Sequence, residues 1–444
     1  MNKFKRKLAD IFNSNLIGVL FTSIGMRVVS AAVLFGIGVF LAKWLGPENY
    51  GLYTLIFSSA SVIGIPINAG LPVLITRETA ILVRSDKIDI LKGLWSFALY
   101  LIIGISFIFG LIYIVYIYYS NSNLFDTLNN YSMIFALVPI IALDRIRGAA
   151  MQGLGSSLLA QMPEIILRPF IYFVILLLGF VVCIDDRLFF SLSAYALSAI
   201  AAFLFGSYLL NNVMRFNLKK IKSEYQFKMW ICSLFSLGML SSIQTFIGNS
   251  DVLLVGYFCT VHDVGIYKVA QQGVALMLIA QTGVSAVVSA KLSQGFANKD
   301  MQKIIQISDY AVMIFSTTSV IIFSVYCIFG KSFINFAFGE SYVFSYGILI
   351  VLALGQMVNS LTGPVMTLLI MKKCERLAFM SVAFGGIFMF SSVIFLVGKY
   401  SYLGVGISSS LGVAITNIIL SIIVWKKLNF NPTIFSALRR IIKS

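Results

Sequence analysis

The residues able to do chemistry in this chain are few, and they sit where charge is costly. Arg27 in FTSIGMRVVSAAV, Glu164 and Arg168 in QMPEIILRPF, and Asp251 in IGNSDVLLVGYF each interrupt a long apolar run. An ionisable side chain at the centre of a membrane-spanning helix costs at least ~2.5–3.5 kcal/mol, so each is expected to face a cavity or a partner. Arg27 lies about ten residues, or ~15 Å, into its run, near mid-membrane. Its guanidinium cannot be discharged and forks onto phosphate oxygens, which suits an anionic head group in a central cavity; a structural ion pair is the alternative. Glu164 and Arg168 are spaced i,i+4 on one helical face, between Pro163 and Pro169, where the helix is expected to bend. A gate or binding site and a structural pair are both open for them. Asp251 forms a polar notch with Asn249 and Ser250 that suits a proton, Na+ or a basic partner, and Lys268 on the same side is the better candidate partner than Arg27.

Asp144, Arg145 and Arg147 close another apolar run and read as interface anchors or as an inner vestibule for lipid phosphate. Arg77 and Lys291 hold matching places in the two halves of the chain, so with Arg145 and Arg147 they are candidates for a basic inner mouth. Pro66, Pro72, Pro169 and Pro364, the last beside Gly363, mark expected helix breaks of the kind at which transporters bend or bind substrate. Trp44, Tyr50, Tyr53, Tyr257 and Tyr267 are expected in an interfacial aromatic belt. Five scattered cysteines (Cys183, Cys232, Cys259, Cys327, Cys374) without CxxC spacing, and a single histidine, His262, imply no disulfide framework and no metal site, and no cofactor is expected.

Twelve apolar runs must position these groups, near 17–43, 51–72, 93–118, 130–150, 161–184, 188–211, 229–257, 265–290, 304–330, 344–370, 377–398 and 402–425. Each is long enough for a ~30 Å hydrocarbon core, which takes about 20 helical residues. With 59% hydrophobic and only 11% charged residues over 444 positions, the chain has too little polar surface for a soluble fold, where about 25% is charged. Its solvent is lipid. The net charge of +16 does not point to nucleic acid, because the basic residues sit in short clusters between apolar runs.

Those clusters also orient the chain. If the N-terminus is cytoplasmic, 26 of the 33 Lys and Arg residues fall on the inner side, and only Lys43, Arg187, Lys268, Lys331 and Lys399 fall outside. That alternation supports twelve helices with both termini cytoplasmic. The start, MNKFKRKLADIFNSN, runs into the first apolar stretch without a small-residue cleavage site, so a first transmembrane helix is expected and not a removed signal. The tail, NPTIFSALRRIIKS, has the basic amphipathic pattern of a short helix on the inner leaflet, with a frayed tail as the alternative.

The two halves resemble each other at an offset of 214 residues: Gly51 and Tyr53 in YGLY fall on Gly265 and Tyr267 in VGIY, and Arg77 falls on Lys291. The expectation is an all-α integral membrane protein of two parallel six-helix lobes, 1–222 and 223–444, related by an axis along the membrane normal.

Three stretches carry a wider likeness: LAKWLGPENYGLYTLIFSSASVIGIPINAGLPVLITRETA, RGAAMQGLGSSLLAQMPEIILRPF and NSDVLLVGYFCTVHDVGIYKVAQQ. In them the chain resembles the Wzx-type polysaccharide flippases of the MOP exporter superfamily, which also holds the MATE drug antiporters and the lipid II flippase MurJ. The resemblance implies a MATE-like fold that alternates access around a central cavity. It implies a substrate of undecaprenyl-diphosphate-linked oligosaccharide, an O-antigen, capsule or exopolysaccharide unit, moved from the inner to the outer leaflet of the bacterial cytoplasmic membrane. It places Arg27, Arg168 and Lys268 as candidate cavity residues and leaves Asp251 and Glu164 as candidates for H+ or Na+ coupling. Membrane lipids, a polysaccharide polymerase and a chain-length regulator are the implied partners. The chain lacks the two further helices that MurJ carries, which weakens lipid II as substrate. A MATE-like antiporter of organic cations is the first rival, against which the basic bias of Arg27 and Arg168 weighs. A membrane polymerase or ligase is the second, against which the lack of a sizeable outer loop weighs.

Overall fold

The computed structural model describes the backbone of residues 2–68, 70–119, 124–214 and 222–443. Side chains are described over 25–26, 28–68, 70–112, 115, 137–214, 222–234, 238–279, 281, 284–285, 287–440 and 442. Among the described residues the protein is helical throughout, as apolar sequence in lipid requires: a backbone without water must satisfy its own hydrogen bonds within each segment. The elements are α1 (Asn2–Ile63), α2 (Ile65–Asn68), α3 (Leu71–Arg84), α4 (Ile88–Tyr119), α5 (Leu124–Gly153), α6 (Ser157–Met162), a π turn (Pro163–Leu167), α7 (Arg168–Val181), α8 (Arg187–Val213), α9 (Phe227–Phe258), α10 (Val261–Ala297), α11 (Met301–Phe338), α12 (Ser345–Thr362), α13 (Val365–Met371), α14 (Glu375–Leu428) and α15 (Ile434–Lys443). Seven stretches of the described residues are long and apolar enough to cross a membrane, or eight if the bent α9 is one span.

Two of these helices hold two expected runs each. α1 turns at Gly46, whose φ of 75° and ψ of 170° suit a residue without Cβ, and Pro47 opens the next helical turn with its φ already set. α14 turns at Ser401, φ 48° and ψ −131°, where a non-glycine residue holds a strained conformation. The turn between α9 and α10 is built differently. Thr260 caps α10: its Oγ1 accepts from the Asp263 backbone at 3.2 Å, while Asp263 Oδ2 accepts from the Thr260 backbone N–H at 3.0 Å and from its hydroxyl at 2.7 Å. This reciprocal box satisfies orphan donors at the helix start.

The expected run 51–72 does not end where its apolar residues do. It breaks into α2 and α3, and α3 continues to Arg84, with Pro72 in its first turn where the missing N–H costs nothing.

Packing groups the chain into two compact units, residues 1–39 with 266–444, and residues 40–265. The first unit joins the start of α1 to the C-terminal helices, and the second joins α9 to the N-terminal ones. The core of the 40–265 unit is apolar, with Ile67, Leu71, Leu74, Leu91, Leu94, Ile102, Leu137, Ile146 and Trp230 buried together.

Candidate functional site

In the 40–265 unit the feature with most chemical content is a half-buried guanidinium among tyrosines. Arg168 opens α7 immediately after the π turn and lies over the ring of Tyr195 on α8, its Cζ 5.4 Å from the ring centroid. The Tyr195 ring packs edge-on against Tyr172 on α7 at 5.5 Å and against Phe57 in α1 at 4.6 Å. The hydroxyls of Tyr53 and Tyr172 share a hydrogen bond of 2.9 Å. The aromatic faces hold the cation by their quadrupoles, and the planar fork can still present donors to an anion.

Among the described residues no ion pair joins Arg168 to Glu164, which corrects the expected i,i+4 pair. Glu164 lies in the π turn at Pro163–Leu167, and Arg168, at the start of α7, is turned onto the Tyr195 ring instead. Pro169 follows within the first turn of α7.

Four residues toward the end of α5 there is a true buried pair. Arg147 donates from Nε at 3.1 Å and from Nη2 at 2.7 Å to Asp144 Oδ1, with residue exposures of 4% and 1%. Arg147 is therefore no part of an open basic mouth, which corrects that expectation; Arg145, two positions earlier, is exposed. The pair needs Gly206 on α8, since a Cβ there would stand 2.0 Å from Arg147 Nη1. Asp144 Oδ2 and Arg147 Nη1 have no hydrogen-bond partner among the described residues. Arg77 is exposed but bound to its neighbour Glu78 at 2.7 Å, with Ser233 on α9 at 3.3 Å, so its charge is partly offset. Asp251 is buried on α9, with its Oδ1 accepting from the Val252 N–H at 2.9 Å.

The expected aromatic belt is also corrected. Trp44, Tyr50 and Tyr267 are buried, Tyr53 is held by Tyr172, and only Tyr257 stands out into the surroundings. The Trp44 carbonyl, at the end of the first part of α1, accepts a 3.0 Å hydrogen bond from Arg187 Nη1, a cation on a helix C-terminus.

The unit of 1–39 and 266–444 carries a neutral network instead. Gln281 Nε2 on α10 donates to Ser319 Oγ on α11 at 2.9 Å and to Ser360 Oγ on α12 at 2.6 Å, and Gln356 Nε2 donates to Gln281 Oε1 at 3.4 Å. Ser316 Oγ reaches the Ser360 carbonyl at 3.3 Å. At the offset of 214, these five positions fall on Ile67, Ile102, Ile105, Ala142 and Ile146, which lie in or against the apolar core of the other unit. At that offset the polar network is thus matched by apolar side chains. Lys268 is half-buried, with Nζ 3.4 Å from Gln271 Oε1, and Lys291 is exposed. Pro364 caps α13 after Gly363, φ 77°, and Pro66 lies in the first turn of α2, so all four flagged prolines sit at helix starts or interruptions. The side chain of Arg27 lies outside the described residues.

Reasoning from sequence missed the tyrosine trio and the Gln–Ser network. A signal existed for both: Arg168 and Tyr172 are four apart, as are Gln356 and Ser360, and Ser316 and Ser319 are three apart, each within an apolar run.

A family model described as "Polysaccharide biosynthesis protein" matches residues 18–290. No curated protein matches. Among solved structures, a multidrug resistance MATE family transporter of the MOP superfamily in its inward-facing conformation is similar at 15% identity, covering 93% of this chain and 98% of its own, with a TM-score of 0.73. A MATE structure in complex with MaL6 is similar at 14% identity and TM-score 0.63, covering 96% of each chain. A MOP superfamily transporter from Pyrococcus furiosus, described as having a binding pocket of reverse polarity that suggests a different function, is similar at 15% identity and TM-score 0.61, covering 93% of this chain and 95% of its own.

Proposed function

The chain belongs to the polysaccharide biosynthesis protein family, a multi-pass membrane protein with the MOP transporter fold, and from that premise we propose that it is a flippase for polyprenyl-diphosphate-linked oligosaccharide. The substrate moves from the cytoplasmic to the outer leaflet of a bacterial cytoplasmic membrane by alternating access, and no covalent bond is made or broken. The physical task is to carry a pyrophosphate and its sugars past hydrocarbon while the polyprenyl tail stays in lipid. A charge left bare there costs at least several kcal/mol, so the carrier must supply an opposite charge within the span.

The observation that carries this reading is Arg168. It is a guanidinium within a membrane-spanning stretch, oriented by Tyr195 and in no ion pair with a described carboxylate. It is thus available to phosphate in a way that Arg147, bound to Asp144, is not. In this reading Arg27 and Lys268 add positive charge to the cavity, and Asp251 or Glu164 carries the coupling H+ or Na+. The glycan is an O-antigen, capsule or exopolysaccharide repeat unit, to be received by a polymerase with its chain-length regulator.

The test is flipping of a synthetic polyprenyl-diphosphate oligosaccharide in proteoliposomes. Arg168→Ala is expected to abolish flipping while the protein stays folded by its melting temperature, and Arg168→Lys to keep charge but lose the fork and most of the rate. A parental rate in Arg168→Ala overturns the role of Arg168. The second reading, a MATE-like organic-cation antiporter, draws on the MATE likeness and on the buried carboxylate of Asp251. Proteoliposomes that exchange an organic cation and flip no lipid-linked glycan decide for it.

A further inference from the structure

The tail following α14 carries a surface that the transport reading does not use. Arg440 clasps α15 to the body: it donates from Nε to Asp309 Oδ2 at 2.9 Å, and from Nη2 to Asp309 Oδ1 at 2.5 Å and to the Asn431 carbonyl at 2.9 Å. The same guanidinium lies 5.8 Å from the centroid of Phe430. Asp309 on α11 is buried, so this two-pronged contact with a carboxylate fixes how the helix is rotated. Asn431 Oδ1 accepts from the Thr433 N–H and hydroxyl, which starts the helix from a set turn.

With that rotation fixed, Ala437 is fully buried against the body and Phe435, Leu438 and Ile442 stand exposed, at positions i, i+3 and i+7 of one stripe. Arg439, adjacent to the clasped Arg440, is exposed. Where the tail begins, Lys372 Nζ donates to the Lys427 carbonyl at 2.6 Å and so gathers Lys372, Lys373, Lys426 and Lys427, all exposed, at one edge. On α14 just before them, Ile418, Ile422 and Trp425 are exposed in the same 3–4 spacing.

We propose that α15 is a docking surface for a leaflet rich in anionic phospholipid, with Phe435, Leu438 and Ile442 inserted among the acyl chains and Arg439 with the lysine edge on the headgroup phosphates. Apolar area and basic charge together are what bind a helix in the plane of a membrane surface. The neighbouring arginines divide the work: Arg440 binds the protein and Arg439 binds the lipid.

The experiment uses the full chain with Leu438→Trp in a Trp425→Phe background, reconstituted in nanodiscs of brominated phosphatidylcholine with or without phosphatidylglycerol. The Trp425→Phe protein alone supplies the baseline from the remaining tryptophans. The expected result is quenching of the new tryptophan by brominated chains, increased by phosphatidylglycerol. Arg439→Gln is expected to weaken the phosphatidylglycerol-dependent part about five-fold, as for the loss of about 1 kcal/mol from one basic residue at an anionic surface. Equal quenching with and without phosphatidylglycerol overturns the anionic-lipid assignment. A tryptophan unquenched in both nanodiscs overturns the proposal, and one shielded only as protein concentration rises overturns it in favour of a second copy of the chain.

Discussion

Gly51 and Gly265 face each other's hairpin reciprocally. A Cβ on Gly51 would stand 2.0 Å from the Val261 carbonyl oxygen, and a Cβ on Gly265 would stand 2.1 Å from the Pro47 carbonyl oxygen. Pro47 and Val261 are separated by the same 214 positions as the two glycines. The two close approaches are therefore reciprocal, each glycine lying against the backbone of the other's hairpin. Neither glycine has positive φ; each is needed for closeness of approach.

Gly51→Ala and Gly265→Ala are each expected to destabilise the protein by about 1–3 kcal/mol, because a backbone carbonyl must move to admit the methyl group. The double variant should cost less than the sum, since both act on one contact. Gly104→Ala is the control: nothing lies within 4 Å of its Cβ position, and its melting temperature should stay at the parental value. Thermal unfolding in detergent measures all four.

Asp144→Asn is expected to destabilise by about 3–5 kcal/mol, since it strands the buried Arg147 guanidinium. Asp144→Leu combined with Arg147→Met should recover much of that loss, because an apolar pair has no charge to desolvate. Gly206→Ala should behave like the single variant by pushing on the same guanidinium. Expression yield and melting temperature report all three.

Gln281→Leu removes the two hydrogen bonds it donates and the one it accepts from Gln356, but Ser319 and Ser360 remain bonded to each other at 2.7 Å. The expected cost is about 1–2 kcal/mol, in line with the modest value of hydrogen bonds between membrane helices. A loss as large as that of Asp144→Asn, measured by the same unfolding, would show that the network does more than brace α10, α11 and α12.

Burial, and secondarily the Asp263 carboxylate, raise the Cys259 thiol above its ordinary pKa. A raised thiol pKa means less reactive thiolate at neutral pH. Asp263→Asn keeps an oxygen for the Thr260 cap and removes the charge, so maleimide labelling of Cys259 is expected to speed up and its rise with pH to shift to lower pH. Labelling unchanged at every pH would show that burial alone holds the thiol protonated.

Much of the fold was legible because lipid imposes a simple code. Runs of apolar residues long enough for the bilayer became helices, and the first of them turns at Gly46 with Pro47. The turn between α9 and α10, FCTVHDVGIY, has no Gly-Pro and instead closes with the Thr260–Asp263 box. The site was less legible. Glu164 and Arg168 have ideal helical spacing, yet Arg168 lies over Tyr195 in no ion pair with Glu164, and the charge at Asp144 found its partner three residues away on its own helix.

The amino-acid sequence by itself determined the class of the protein, its helical segments, their breaks at proline and glycine, and the family it belongs to, because each depends on composition or on neighbours along the chain. Only the tertiary structure decided which charges are satisfied and which remain available. Tyr53, Tyr172 and Tyr195 come from three helices, Arg147 needs the space left by Gly206, and Arg439 and Arg440 differ only in which side of α15 they emerge from. Such contacts depend on the rotation and closeness of whole helices, and those are set by packing among segments far apart in sequence.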